Sequence, residues 1–196
     1  DRKLRVGYVS PHFRQHVQAH FTIPLFSTHD HGPFEIVGYS DVVQPDDITQ
    51  RLHSHADTWC DTAGLSNHQL ADRIRTDQID ILVDLTMHME GSRLLTFARK
   101  PAPVQVCWLA YPGTTGLSAM DYRLTDPYLD PPGQHDADYS ERSLRLPETF
   151  WCYDPLAAEP PVNPIPALAA GRITFGSLNN FSKLNPALLQ LWARVL

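Results

Sequence analysis

What most constrains the fold is a repeated switch between short apolar runs and amphipathic stretches, sharpest at Ile79–Leu85 (IDILVDL), which is almost continuous in apolar residues. A strand that is apolar on both faces has to be buried on both faces, and parallel sheets covered by helices on each side meet that condition. The runs Leu4–Ser10 (LRVGYVS), Phe34–Tyr39 (FEIVGY) and Val104–Leu109 (VQVCWL) read as further strands. Between them, helices are predicted over about Val17–Ser27, Ile48–Thr58, Ser66 to about Asp77, and Ser92–Arg99. Asp46 and Asp47 favour the N-terminus of the second helix, and Ser66 is placed to cap the third. Alternation of this kind predicts an α/β, Rossmann-like domain built from βαβ units around a parallel sheet.

From Pro127 the pattern loosens. The 17 prolines are distributed unevenly, with concentrations at Pro127–Gly133 (PYLDPPG) and Pro155–Pro166 (PLAAEPPVNPIP), and the second reads as an extended linker. Beyond it, Arg172–Leu178 (RITFGSL) reads as a new strand. Pro186–Leu196 reads as a new helix, with Asn185 as its cap and Pro186 at its first position. The expected organisation is a first domain over 1–154, a linker over 155–171, and the start of a second Rossmann-like domain over 172–196 that continues beyond Leu196. There is no internal repeat.

Composition narrows the function classes. Hydrophobic residues at 42% and charged residues at 19% supply a core and argue against global disorder. A net charge of −6 without a basic block argues against general nucleic-acid binding. No apolar run approaches the roughly 18 residues of a membrane span. Three cysteines without a CxxC suggest neither a disulfide framework nor a zinc knuckle, and a reducing, cytoplasmic setting is expected.

Four segments could carry chemistry. In open α/β sheets ligands bind at the carboxyl ends of strands, where Ser10–His16 (SPHFRQH) follows the first strand without a GxGxxG fingerprint. His12, His16 and His20 are four apart. On one helix they would share a face and could hold a metal; otherwise they cover the helix start, or one acts as general base or orienting group. Asp84–His88 (DLTMH) ends the buried strand and reads either as an acid–base pair or as a loop and cap. In Tyr111–Gly116 (YPGTTG), backbone N–H groups and the Thr114 hydroxyl could approach a polar ligand. In Gly176–Pro186 (GSLNNFSKLNP), Lys183 just before a helix start suits a phosphate, or is simply solvated.

Together, LRVGYVSPHFRQH, ILVDLTMHMEGSR, PAPVQVCWLAYPGTTG, MDYRLTDPYLDPP, YSERSLRLPETFWCY and FGSLNNFSKLNP follow in order the pattern of O-linked N-acetylglucosamine (O-GlcNAc) transferases. The chain is most similar to a bacterial member and resembles the N-terminal half of the catalytic region. The resemblance implies a GT-B arrangement, in which two Rossmann-like domains face each other across a cleft. It implies a UDP-GlcNAc donor, a protein Ser or Thr hydroxyl as acceptor, and inversion at the anomeric carbon. Neither metal nor cofactor is expected, and tetratricopeptide repeats upstream would present the acceptor. His16 matches a histidine beside the reacting sugar that is a candidate base. Leu109 and Ala110 match positions close to the sugar, and Asn180 and Lys183 match a polar residue and a lysine near the diphosphate. Two positions depart from animal relatives: His12 stands where they carry Asp, and Asn180 where they carry Gln. Two other readings compete: a non-catalytic sugar-nucleotide or peptide-binding module, and a metal-dependent hydrolase built on the histidines. The hydrolase needs three ligands within about 2.2 Å of one ion; the transferase needs His16 and Lys183 to converge on one cleft.

Overall fold

The computed structural model describes residues 2–111 and 113–196. The chain divides into two units, Asp1–Ala157 and Ala158–Leu196.

The first unit is a seven-stranded, wholly parallel sheet. In chain order it runs β1 (Leu4–Ser10), α1 (Ala19–Thr28), β2 (Phe34–Ser40), α2 (Asp47–His55), β3 (Thr58–Asp61), α3 (Asn67–Thr76), β4 (Ile81–Asp84), α4 (Leu94–Phe97), β5 (Val104–Cys107), β6 (Tyr122–Thr125) and β7 (Arg142–Arg145). The spatial order is β3-β2-β1-β4-β5-β6-β7, with Val6 beside Ile36 on one side and Ile81 on the other. This is a doubly wound, Rossmann-like sheet, as the alternation of apolar runs predicts.

Side-chain alternation along each strand divides the core into two layers. Val6, Tyr8, Ile36 and Val83 point to one face and pack with Ile23 and Phe26 of α1 and Leu52 of α2. Val9, Val37, Tyr39 and Leu82 point to the other and pack with Leu70 and Ile74 of α3 and Phe97 of α4. Local signals set the helix starts. Asp46 caps α2 in a capping box with Thr49, and Ser66 caps α3 in one with Gln69.

Three strands escape the sequence pattern. The β3 strand is only four residues long and lies where the predicted second helix was to end, at Thr58. The β6 and β7 strands (YRLT and RSLR) carry arginines and hydroxyl residues among few apolar ones, so they show no apolar run. Their stability is partly ionic. Arg123 is buried against Asp130, Arg145 bonds the same carboxylate at 2.9 Å, and the Arg123 guanidinium lies 3.3 Å above the Tyr139 ring.

The second unit corrects two expectations. Arg172–Leu178 forms no strand; among the described residues this unit contains none. An extended segment becomes a strand only by pairing its N–H and C=O groups with a neighbour, and here it has no partner. The proline-rich stretch is not wholly extended either, since α5 (Pro166–Ala170) forms a short helix closed by Gly171 at φ 65°. The last helix, α6 (Pro186–Val195), forms with Pro186 in its first turn, and the Asn185 side chain accepts from the Leu188 N–H at 3.0 Å.

Candidate functional site

The strand order reverses direction between β1 and β4. Open sheets bind ligands at such a point, in the crevice outside the carboxyl ends of the two strands. Two loops rim that crevice here, residues 11–18 after β1 and residues 85–93 after β4. They touch at Gly91, where a β-carbon would come within 2.8 Å of the Pro11 ring and φ is +78°, so the close approach requires glycine. Beside this contact lies an open cleft of about 720 Å³, lined by His12, Arg14, Asp41, Asp46 and Glu90 among others.

The structure brings His12 and His16 together and leaves His20 apart. The His12 and His16 rings are stacked, with centroids 4.1 Å apart and planes 12° apart. Both precede α1, so the shared helix face does not form; only His20 lies in that helix, where its Nδ1 sits 3.0 Å from the Asp154 carbonyl. Stacked rings direct their lone pairs side by side rather than at a common ion. Among the described residues no three His, Cys, Asp or Glu side chains gather as metal ligands. Burial pushes the His12 imidazole down to about 4, helped by the neighbouring His16 ring and the Arg14 guanidinium; burial and then Arg14 lower His16 as well. Both rings are therefore neutral at neutral pH. The His16 Nδ1 accepts the Gln18 backbone N–H at 3.2 Å, while the Gln18 side-chain amide donates to the Leu85 carbonyl at 2.6 Å and so ties the two loops together.

Asp84 ends β4 fully buried. Its carboxylate accepts the N–H groups of Thr86 (3.2 Å) and Met87 (2.8 Å), yet desolvation outweighs them and pushes the carboxyl up to about 6. It does not pair with His88, whose Nε2 instead lies 3.0 Å from the Thr114 carbonyl. The loop-and-cap reading of Asp84 is the one realised.

The YPGTTG turn is held by Glu141, a residue that no local sequence signal marks. Pro112 of this motif lies outside the described residues. Glu141 is buried and accepts from the Thr115 N–H at 2.7 Å, from the Thr114 hydroxyl at 2.8 Å, and from the Thr115 hydroxyl. Burial raises its pKa, but the hydrogen bonds from Thr115 and Thr114 outweigh that and hold it below the usual range. The Thr114 hydroxyl also accepts the N–H groups of Gly116 and Ser140, both at 3.1 Å. With its donor and acceptor capacity engaged inside the protein, the Thr114 hydroxyl braces the turn and does not reach toward a ligand. Just upstream, Leu109 adopts φ +76°, a left-handed conformation costing about 1–2 kcal/mol in a non-glycine residue. Ala110 follows it at the mouth of β5, its N–H bonded to the Trp108 carbonyl at 3.0 Å.

A second unforeseen element is the Arg93–Asp41 pair, joined by two bonds of 2.7 Å; Arg93 also donates to the Leu65 carbonyl at 2.8 Å. It clamps the loops after β2, β3 and β4. No sequence signal links residues 52 positions apart. The remaining predicted residues, Asn180 and Lys183, belong to the second unit. There the Asn180 side chain accepts the Ser182 N–H at 3.0 Å and caps the 3-10 turn Phe181–Lys183, which presents the lysine in its last turn.

A parallel sheet with this switch-point cleft suits many nucleotide-dependent enzymes, and comparison with known proteins decides among them. The family model described as glycosyl transferase family 41 matches residues 1–158. The chain belongs to glycosyl transferase family 41. Among its relatives in this family, a probable UDP-N-acetylglucosamine–peptide N-acetylglucosaminyltransferase, SPINDLY of Arabidopsis thaliana, is 42% identical over 200 residues. The match takes in the whole of this chain and 22% of that protein. The SEC protein of the same plant, with the same probable activity in its name, is 31% identical over 206 residues, covering the whole chain and 21% of that protein. A mutant O-GlcNAc transferase of Thermobaculum terrenum superposes with a TM-score of 0.87 at 40% identity, over the whole chain and 36% of that structure. The chain thus spans about a fifth of the length of these plant relatives.

Proposed function

We propose that this chain is the first catalytic domain, with the start of the second, of an inverting glycosyltransferase that moves N-acetylglucosamine from UDP-GlcNAc to Ser or Thr hydroxyls of proteins. The observation that carries the reading is the pair of neutral, stacked histidines at the topological switch of a family 41 domain. Attack of a hydroxyl on the anomeric carbon needs a neutral group to receive or orient its proton, and a charge partner for the departing UDP. In this reading His16 faces the reacting sugar, His12 contributes to substrate binding, and Leu109 and Ala110 line the sugar. Asn180 and Lys183 meet the diphosphate, with the lysine cation and the nearby helix N-terminus countering the leaving-group charge. No metal or cofactor takes part. Tetratricopeptide repeats elsewhere in the protein bring the acceptor, and the setting is cytoplasmic.

The test is turnover by the full-length protein with UDP-GlcNAc and a Ser/Thr peptide. The expected outcome is UDP release, β-linked GlcNAc on the peptide, and an unchanged rate after exhaustive chelation. Binding of UDP-GlcNAc without transfer would instead support a non-catalytic sugar-nucleotide module of the same fold. Stoichiometric zinc in active protein would revive the hydrolase reading.

A further inference from the structure

The two stacked histidines are alike in sequence but not in hydrogen bonding, and the difference assigns them different tasks. The His16 Nδ1 accepts the Gln18 backbone N–H, so the neutral ring carries its proton on Nε2 and presents a donor. The Gln18 side chain also acts on the His12 ring, favouring its protonated form. The orientation of the Gln18 amide is set because its nitrogen donates to the Leu85 carbonyl at 2.6 Å, which leaves Oε1 as an acceptor. That oxygen and the His12 Nδ1 are both buried and, among the described residues, both lack a hydrogen-bond partner. Two unpaired buried polar atoms cost about 1–3 kcal/mol each, and one bond satisfies both if Nδ1 carries the proton. The His12 Nε2 is then left as a lone pair on the ring that lines the cleft.

We propose that His12 is the proton acceptor for the incoming hydroxyl, that Gln18 fixes its tautomer as a positioning residue, and that His16 is the hydrogen-bond donor beside it. This rests on the transferase reading above. In the step, the hydroxyl oxygen bonds to the anomeric carbon and its proton passes to His12 Nε2. The bond from that carbon to the β-phosphate oxygen breaks, and its electron pair leaves with UDP. The titratable and charged groups facing His12 are His16 and Arg14 of its own loop and Glu90 of the loop after β4; Asp41 and Asp46 line the same cleft from the loop after β2. Burial, the adjoining His16 ring and the Arg14 cation keep the ring neutral, so its lone pair is available across the working pH range.

Two measurements on the full-length protein test the assignment. The first is independent of activity: nitrogen-15 NMR of the imidazoles should report the Nδ1–H tautomer for His12 and the Nε2–H tautomer for His16. The reverse pair overturns the proposal even if the protein proves to be a transferase. The second is kinetic. His12→Asn keeps a donor toward Gln18 but removes Nε2, and should lower kcat by about a hundredfold or more with little change in UDP-GlcNAc affinity. Gln18→Glu places a carboxylate at Nδ1 and should move the acidic limb of the kcat profile to higher pH. A folded His12→Asn protein with near wild-type kcat, or an acidic limb unmoved in a folded Gln18→Glu protein, removes His12 from proton transfer. Absence of transfer by the wild type would instead defeat the transferase reading, with the tautomers still as predicted.

Discussion

The two units treat similar sequences differently. In the first unit Val104–Cys107 (VQVC) is a strand; in the second, Arg172–Leu178 (RITFGSL), equally rich in strand-forming residues, is not. The difference lies in neighbours. Val106 pairs with Val83 on one side and Tyr122 on the other, whereas the second segment has no ladder to join and none of the described residues of its unit is buried. Helix α6 forms in that same unit because its cap and its first-turn proline are local. Strand identity is a property of the sheet, and helix starts are a property of a few adjacent residues.

The largest expected effect breaks this contrast. If a complete second domain supplies the missing partners, amides of Ile173–Leu178 should exchange with solvent at least about a thousandfold more slowly in the full-length protein than in the 196-residue chain, a difference of about 4 kcal/mol. Equal exchange in both would mean that the segment is no strand anywhere.

Next in size are two probes of the first unit. Leu82 is fully buried between β1 and β5 neighbours, and Leu82→Ala should cost about 3 kcal/mol by urea unfolding; an unchanged midpoint would mean that this face of the sheet is not packed. Asp84 gives a pH-dependent term. Burial pushes its carboxyl up to about 6, above the ordinary carboxylate range, so the fold holds the extra proton in that window and loses stability as pH rises through it. Relative to Asp84→Asn, the wild type should lose on the order of 2–3 kcal/mol between about pH 4 and pH 7; a flat difference would mean that the carboxyl titrates normally.

The smallest effects sharpen the contrast. Ser66→Ala should lower first-unit stability by about 1 kcal/mol. Asn185→Ala should fray α6, seen as lost circular-dichroism signal, without shifting the first unit's unfolding transition. A shift of that transition by Asn185→Ala would show the two units to be energetically coupled.

These contrasts also explain what the sequence made legible. The IDILVDL run identified a doubly covered parallel sheet, and Asp46, Ser66 and Asn185 marked helix starts, because burial on both faces and capping are written in adjacent residues. The β6 and β7 strands were hidden because their pairing rests on Arg123, Arg145 and Asp130 rather than on apolar periodicity. At the site, the loop holding His12 and His16 was legible from its place after β1. The stacking of the rings, the Gln18 bridge to Leu85 and the Glu141 brace under Thr114 depend on contacts between distant segments. The Thr114 hydroxyl looks ligand-facing from the motif alone for that reason: the motif shows the hydroxyl but not the carboxylate 27 residues away that engages it.

Lys183 gives the most direct test of the account as a whole. It is an exposed residue in the last turn of a 3-10 helix, so its removal should leave the fold intact. If it counters the charge on departing UDP, that interaction is stronger in the transition state than in the bound donor. Turnover of UDP-GlcNAc and donor affinity should be measured on one preparation of full-length Lys183→Ala. The account predicts kcat lower by about a hundredfold or more with a much smaller loss of affinity, and poor rescue by Lys183→Arg, whose planar fork differs from a compact ammonium. A folded Lys183→Ala protein with near wild-type kcat would contradict it.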